Sequence, residues 1–356
     1  MNITMYDCYL TQFRCMEKIL EQKDSLLDEF VNYYLTVKPD RLYLVGSGTS
    51  HNACAASRAF MEEILGIEVI DMVPSHVSNI YGKNPMAIVV SQTGRSTNSA
   101  AAVERMRQNG CAVVTLTDPK DTAVGNTGNL AVSLEADREP IGQRTRGYTA
   151  TVLTLYLMAL ESGLASGSLK RDAYGGHLNN LRWMVDNGPL YLDSCQQFYD
   201  KHLENLIKAN NFIFVGKGTA GKTADEDALK VLETICYPSS GFEFEEFLHG
   251  PICSIRDNLA LFLFLAEDED RPRMLKLAEI AGTVTPNCYV ISHVEDLKDD
   301  NVLYLPSPDP VRLSPFMDIL FGQLISAKMP EVLGRGRLPV VMEISIQMNT
   351  KFKVEN

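Results

Sequence analysis

Short apolar runs alternate with amphipathic stretches along most of the chain. Runs such as residues 87–90 and 259–265 are continuously apolar, which is typical of strands covered on both faces of a parallel sheet. Between the runs, apolar positions recur at helical spacing, for example over residues 8–37. The alternation predicts βαβ units and an α/β fold with parallel sheets.

The predicted elements form two similar series after the helix over residues 8–37. The first series has strands at 42–46, 67–73, 86–91, 111–117 and 129–134, and helices at 50–65, 96–109 and about 145–164. The second has strands at 211–215, 259–265, 287–292 and 302–305, and helices near 221–236, 271–283 and 313–329. Breaks within residues 166–200 predict a link with helical pieces.

The two series begin with nearly the same sequence. Residues 42–50 read Leu-Tyr-Leu-Val-Gly-Ser-Gly-Thr-Ser, and residues 212–220 read Phe-Ile-Phe-Val-Gly-Lys-Gly-Thr-Ala. A glycine turn between a strand and a helix presents backbone N–H groups to an anion. The repeat predicts two tandem doubly wound lobes of three α/β/α layers. The predicted segments are an N-terminal helical segment (1–35), one lobe (36–190), a second lobe (191–340) and a short C-terminal tail (341–356).

The composition is that of an ordinary soluble globular protein, with 45% hydrophobic and 22% charged residues. The net charge of −12 disfavours a nucleic-acid surface, although a small anion can still be held locally. No apolar run reaches the roughly 20 residues of a membrane helix, and the N-terminus lacks a secretory signal. We therefore expect a cytoplasmic protein with no nucleic-acid or membrane partner.

The eight cysteines are scattered, without a Cys-x-x-Cys pair or a histidine at metal-ligand spacing. This distribution is typical of free thiols in a reducing compartment. We expect neither a metal nor another cofactor.

Residues 216–223 match two nucleotide-binding patterns at once. Gly-Lys-Gly-Thr-Ala-Gly-Lys-Thr fits G-x-x-x-x-G-K-[ST], and its first six residues also fit G-x-G-x-x-G. One segment cannot serve both, and the corresponding turn at 46–51 has neither Lys-Thr nor a third glycine. A shared structural turn is therefore favoured over a nucleotide site.

Two turns in the first half are rich in hydroxyl groups. Residues 91–99 read Ser-Gln-Thr-Gly-Arg-Ser-Thr-Asn-Ser after a predicted buried strand, and residues 47–50 also carry three hydroxyls. A helix N-cap needs only one hydroxyl, and an ordinary Ser/Thr-rich cap is the alternative. Several hydroxyls together at helix N-termini predict a phosphate site.

Three charged residues in the second half share one helix face. Glu226, Lys230 and Glu233 fall at i, i+4 and i+7. His249 follows in a loop ended by Gly-Pro. Taken alone, the trio is also typical of a solvated charged face, and His249 of a structural loop histidine.

The combined motifs resemble the double-SIS (sugar isomerase) domain family. Gly-Thr-Ser at 48–50 and Ser-Gln-Thr-Gly-x-Ser at 91–96 resemble turns in the isomerase half of glucosamine-6-phosphate synthases and in fructosamine- and glucoselysine-6-phosphate deglycases. The resemblance covers roughly residues 35–335 and implies flavodoxin-like lobes. It implies that a sugar 6-phosphate is bound by Ser47, Gly48, Thr49, Ser50, Ser91, Gln92, Thr93 and Ser96.

The resemblance extends to the acid–base residues, since the synthases have Glu, Lys and Glu at the same spacing and then a His-Gly-Pro. It implies that Glu233 moves a proton between C1 and C2, with Glu226 and Lys230 in support. It also implies that His249 opens the sugar ring from a neighbouring subunit, in a homodimer or larger homo-oligomer with a shared active site.

Other positions depart from the synthases. Thr145 and Arg146 stand where those proteins have Ser-Thr-Lys, and keep a hydroxyl and a cation for contact with the substrate or with the other lobe. We expect no glutaminase domain, because SIS material begins almost at the first residue. The synthase tail has a lysine that forms an imine, and neither Lys351 nor Lys353 is assigned that role because the sequence around them differs.

These features favour a deglycase that cleaves a 6-phosphorylated Amadori compound, of the fructoselysine or glucoselysine type, into glucose 6-phosphate and a free amine. An aldose–ketose phosphosugar isomerase or an aminosugar-phosphate deaminase would use the same residues. A non-catalytic phosphosugar-binding regulator is the alternative from another class.

Overall fold

The structure is a computed structural model that describes residues 3–137 and 139–352, without the side chain of Met342. Its contacts divide the chain into two compact units. The first lobe comprises residues 14–179 and the tail from Leu338, and the second lobe comprises residues 1–13 and 180–337. The N-terminal helix α1 (Met5–Val37) contributes residues to both.

The first lobe is built on a five-stranded parallel sheet with the order β2-β1-β3-β4-β5. Its strands are β1 (Arg41–Val45), β2 (Glu68–Met72), β3 (Pro85–Val90), β4 (Ala112–Thr117) and β5 (Leu130–Ser133). The helices that follow α1 are α2 (Thr49–Leu65), α3 (Thr97–Gln108) and α4 (Arg146–Ser166), and α5 (Arg171–Asp186) and α6 (Gly188–Leu206) form the link.

The second lobe has a five-stranded parallel sheet with the order β10-β9-β8-β6-β7. Its strands are β6 (Asn211–Gly216), β7 (Ser239–Glu243), β8 (Leu259–Phe264), β9 (Cys288–Ser292) and β10 (Val302–Tyr304). Its helices are α7 (Thr219–Thr234), α8 (Phe244–Leu248), α9 (Arg271–Gly282), α10 (Pro310–Met317) and α11 (Ile319–Val332). The tail of the first lobe adds α12 (Pro339–Gln347).

Both sheets have the same doubly wound order, because in each the first strand lies between the second and the third. The two parallel sheets and the N-terminal helix confirm the predicted α/β fold class. In such sheets, ligands bind outside the carboxyl ends of the strands at the point where the order reverses. In the first lobe that point lies between β1 and β3.

Each core is centred on a strand that is buried along its whole length, β3 in the first lobe and β8 in the second. These strands are the continuous apolar runs that predicted a covered sheet. Helix α4 is long and apolar enough to cross a membrane by length and composition, but 78% of its most apolar window is buried inside the protein. It is therefore a core helix of the first lobe.

Candidate functional site

The glycine turns of the two lobes share one backbone geometry. Gly48 has φ 56° and ψ −130°, and Gly218 has φ 58° and ψ −120°, which favour glycine. A Cβ on Gly46 would lie 2.6 Å from the backbone of the following helix, and one on Gly216 would lie 2.5 Å away. The sequence repeat is therefore a repeat of strand, close-packed turn and helix.

An asparagine joins the two hydroxyl-rich turns at the carboxyl ends of β1 and β3. Asn98 donates from Nδ2 to Ser47 Oγ (3.0 Å), and Ser96 Oγ donates to Asn98 Oδ1 (2.5 Å). The structure thus brings together hydroxyls that are far apart in sequence, at the point where the strand order reverses. We call residues 47–50 and 91–98 the hydroxyl cradle.

The other predicted hydroxyls lie on the same turns. Thr49, Ser50 and Ser91 are buried, Thr93 is half-buried, and Gly48 is exposed. Their positions at the start of α2 and at the end of β3 place hydroxyls and helix N-termini side by side, as an anion site requires.

Gln92 has a different role from its hydroxyl neighbours. Its side-chain Nε2 donates to Gly147 O (2.7 Å) and to Thr151 Oγ1 (3.2 Å), so both amide protons have acceptors on α4. Its backbone oxygen accepts from the amide of Asp118 at 3.0 Å. Gln92 therefore fixes the cradle against α4 and β4.

A glutamate carboxylate of the same lobe is bound by backbone amides at the N-terminus of α4. The carboxylate of Glu139 accepts from the amides of Thr145 (3.1 Å), Arg146 (3.2 Å) and Gly147 (3.1 Å). The buried Arg146 side chain donates to Asp137 O at 3.1 Å. Glu139 was not predicted, because its role depends on a loop that folds back onto the helix.

A cavity of about 460 Å³ opens beside the cradle, within the size range of ligand sites. Its lining includes Gln92, Thr93, Arg95, Asp118, Arg144 and Lys351. The cavity therefore presents cations from Arg95 and Arg144, which were not predicted, whereas Arg146 is not part of its lining.

The tail is hydrogen-bonded to the cradle. Ser96 and Lys351 form an antiparallel bridge. Arg95 donates from Nε and Nη2 to Phe352 O (3.1 and 2.6 Å), and Phe352 N donates to Arg95 O (2.8 Å). Lys351 consequently lines the cavity, whereas Lys353 lies outside the described residues.

In the second lobe, α7 carries the predicted acid–base trio as a buried ion-pair set. Lys230 Nζ lies 3.3 Å from Glu226 Oε1 and 2.8 Å from Glu233 Oε2. Glu226 and Lys230 are fully buried, and the Glu233 side chain is 28% exposed. This is not a solvated face: one cation is shared by a buried carboxylate and an accessible one.

The surroundings of this trio keep the lysine charged. Burial by itself lowers the pKa of Lys230, but the charges of Glu226 and Glu233 and hydrogen bonds to them raise it above its ordinary value. Arg337 adds a second cation near Glu233, donating to its backbone oxygen at 2.9 Å and approaching its carboxylate at 3.8 Å.

His249 is not joined to this set in its own lobe. It follows α8 and is exposed, its backbone amide donates to Glu246 O at 3.2 Å, and its side chain makes no hydrogen bond to any residue that the structure describes.

The nucleotide-like segment of the second lobe is a structural turn. Lys217 Nζ lies 2.8 Å from Asp268 Oδ2 and 2.6 Å from Asp270 Oδ2, so carboxylates neutralise its charge. Thr223 is buried inside α7 and donates to Thr219 O at 3.3 Å. The cation of Lys217 and the hydroxyl of Thr223 are therefore engaged within the second lobe.

Comparison with known proteins identifies one domain in the chain. Residues 35–161 match the SIS domain. The SIS match covers both turns of the cradle and agrees with the resemblance noted for this part of the sequence. The similarity of fold covers the whole chain and not only the SIS match. A Clostridium difficile 630 protein, provisionally assigned as a phosphosugar isomerase, superposes with a TM-score of 0.91 at 23% identity over 100% of both chains.

Two further relatives carry sugar-related names. A Salmonella typhimurium LT2 protein, provisionally assigned as sugar-binding, has a TM-score of 0.81 at 26% identity over 92% of this chain and 99% of its own. Glutamine–fructose-6-phosphate aminotransferase [isomerizing] 1 of Arabidopsis thaliana is 27% identical over 252 residues, or 69% of this chain. The chain spans only 37% of that relative's length.

Proposed function

We propose that this protein is a phosphosugar enzyme, and specifically a deglycase acting on 6-phosphorylated Amadori compounds. The observation that carries the proposal is the ion-pair set of α7, in which fully buried Lys230 holds the accessible carboxylate of Glu233 at 2.8 Å. A lysine buried in this way orients a base, which a surface charge cluster does not do.

The hydroxyl cradle would hold the 6-phosphate. Its hydroxyls and the N-termini of α2 and α3 favour a dianion without needing a lysine. No cofactor enters the proposal, because proton transfer and addition of water are sufficient.

In the proposed reaction, Glu233 removes a proton from C1 of the open-chain ketosamine and returns it to C2. The proton on nitrogen passes to the C2 oxygen, so that the carbon–nitrogen bond becomes a C1 imine and C2 carries a hydroxyl. Water then adds to C1; its two protons pass to the nitrogen and its oxygen becomes the C1 carbonyl. The nitrogen then leaves as the free amine and the sugar as glucose 6-phosphate. Glu226 and Lys230 keep the base in position.

We further propose a homo-oligomer in which His249 assists ring opening in a neighbouring subunit. Its exposure, and the lack of a hydrogen bond from its side chain within its own lobe, support a role outside that lobe.

A phosphosugar isomerase or deaminase is the second candidate, because C1–C2 proton transfer needs the same residues. The assignment of the Clostridium difficile protein favours the isomerase version.

The test incubates the protein with a panel of 6-phosphorylated ketosamines and couples release of glucose 6-phosphate to a dehydrogenase. Glu233→Gln should reduce turnover by about 10²–10⁴-fold, with phosphosugar binding retained. Glu279→Gln, an exposed glutamate on α9, is the matched control. Full activity of Glu233→Gln would refute the role of the base, and binding without turnover across the panel would favour a regulator.

A further inference from the structure

The cavity beside the hydroxyl cradle is lined by four acidic residues, Asp118, Asp121, Asp137 and Glu139. Three of them already have partners within the first lobe. Glu139 is bound by the amides at the start of α4, Asp121 accepts from an asparagine amide at 2.8 Å, and Asp137 lies 3.6 Å from a lysine ammonium. Asp118 is the fourth.

Asp118 lies directly after β4, and its amide donates to Gln92 O at 3.0 Å. It is half-buried, and its carboxylate forms no side-chain hydrogen bond or ion pair in the described part of the chain. Burial raises the pKa of Asp118 and the charges of Glu135 and Asp137 raise it further, whereas a backbone hydrogen bond from Ala136 and the charge of Lys18 lower it. The nearby ammonium of Lys18 is itself in ion pairs with Glu135 (3.3 Å) and Asp137 (3.6 Å), so no described cation is paired with Asp118.

The cations of the cavity do not supply a counter-charge for Asp118 either. Arg95 donates to Phe352 O, and Arg144 donates to Glu139 O at 2.6 Å. Among the described contacts, no ion pair joins Asp118 to either arginine or to Lys351. A cationic ligand group would complete the environment of this carboxylate.

The position of Asp118 selects the ligand. Neighbouring parallel strands lie about 4.8 Å apart, and Thr93 after β3 and Asp118 after β4 line the same cavity. A sugar whose phosphate is held after β3 can therefore reach Asp118 through that cavity. A protonated amine there would form a charge-assisted hydrogen bond with Asp118. A neutral hydroxyl would leave the carboxylate without a balancing charge.

We propose that Asp118 is a specificity-determining residue that selects sugar phosphates carrying a cationic nitrogen over neutral ketose phosphates. The inference rests on the proposed function, because it requires the phosphate to be held by the hydroxyl cradle. It adds the residue that recognises the amine of the substrate class already proposed.

The test measures calorimetric dissociation constants for two matched ligands, 1-amino-1-deoxyfructose 6-phosphate and fructose 6-phosphate, which differ by an amine in place of a hydroxyl. The unmodified protein should bind the amine ligand more tightly. Asp118→Asn should weaken amine binding by about 10–100-fold, the range of a charged hydrogen bond, and leave fructose 6-phosphate binding unchanged. Asp118→Glu should keep part of the preference.

Asp121→Asn is the matched control, because Asp121 lines the same cavity but is already bound to a side-chain amide. It should keep the preference. Equal loss of both ligands in Asp118→Asn, or no change in either, would overturn the inference while leaving phosphosugar binding intact. If the unmodified protein bound neither ligand, both this inference and the proposed function would be wrong.

Discussion

At the scale of single residues, Lys230 is a charged side chain buried in the core of the second lobe. It is fully buried, and one of its two carboxylate partners, Glu226, is buried with it. A buried ion pair is costly to form but much more costly to break on one side, since the remaining charge then has no partner.

We therefore expect Lys230→Met to lower the free energy of unfolding by about 3–5 kcal/mol. The double variant Lys230→Met/Glu226→Gln should recover part of that loss, because it also removes the buried negative charge that Lys230 balances. Urea unfolding of both variants measures the difference. Equal stability of the single and double variants would contradict the ion-pair account.

Asp227 is a second buried acid on α7, and it does not belong to the ion-pair set. It is fully buried, fills the space that a Cβ on Gly322 would take, and neither carboxyl oxygen has a hydrogen-bond partner among the described residues. Burial raises the pKa of Asp227 far above its usual range, and the charges of Glu226 and Asp318 raise it further.

This shift predicts how stability depends on pH. The folded protein keeps the proton that the unfolded chain releases above about pH 4, so stability should fall as pH rises, by up to about 1.4 kcal/mol per unit. Asp227→Asn should remove this component, giving a flatter profile between pH 5 and 8 in denaturant melts. Asp225→Asn, on an exposed part of α7, should keep the original slope, and parallel profiles for all three proteins would contradict the assignment.

The sequence predicted those site residues that lie in short consecutive motifs. The hydroxyls at 47–50 and 91–96 are adjacent in sequence, and their place at a strand end follows from the apolar run before them. Asp118 and Glu139 could not be identified in this way, because their roles depend on which donors surround them in space.

At the scale of elements, the tail acts as a short strand against the hydroxyl cradle. Besides the bridge to Ser96, Thr97 Oγ1 donates to Asn349 O at 2.8 Å and Thr97 N donates to Thr350 O at 3.3 Å. Arg95 is the side chain that fixes the end of this strand.

Arg95→Ala should release the tail without unfolding the lobe, because it removes both side-chain hydrogen bonds to Phe352 O. Hydrogen exchange at residues 349–352 should become faster, and phosphosugar affinity should fall. Arg107→Ala is the control, since Arg107 also donates to a carbonyl from α3, at 2.9 Å, but its acceptor is Thr127 O and not a residue of the tail. Equal exchange rates in the two variants would show that Arg95 does not hold the tail.

The elements that sequence reasoning missed have weak or misleading patterns. Strand β7 reads Ser-Ser-Gly-Phe-Glu and has no apolar run, because it is an edge strand paired only with β6. The single helix predicted at 313–329 is divided at Asp318 into α10 and α11. Helix α12 was read as part of a tail, and its apolar residues, such as Ile344 and Ile346, are exposed.

At the scale of the whole molecule, the proposed oligomer gives a test by mixing. If His249 acts in a neighbouring subunit, mixed oligomers of His249→Ala and Glu233→Gln chains contain sites with both groups intact. Mixing two inactive variants should then restore a fraction of the original activity. The control mixes Glu226→Gln with Glu233→Gln, which lie on the same helix face and should not complement each other.

The repeat predicted only part of the organisation of the whole molecule. It predicted two lobes from two similar turns, and the shared strand order supports that reading. The contribution of residues beyond Leu338 to the first lobe could not be predicted, because no local pattern links a tail to a turn so far from it.

That contribution has a consequence for how the protein is made. Domains usually fold in the order in which they leave the ribosome. Here the sheet of the first lobe is synthesised early, whereas Lys351 and Phe352, which are hydrogen-bonded to the cradle, emerge only after the second lobe. The first lobe therefore completes these contacts only after the second lobe has been synthesised, and translation halted before the tail would yield two sheets and a cradle without its hydrogen bonds to the tail.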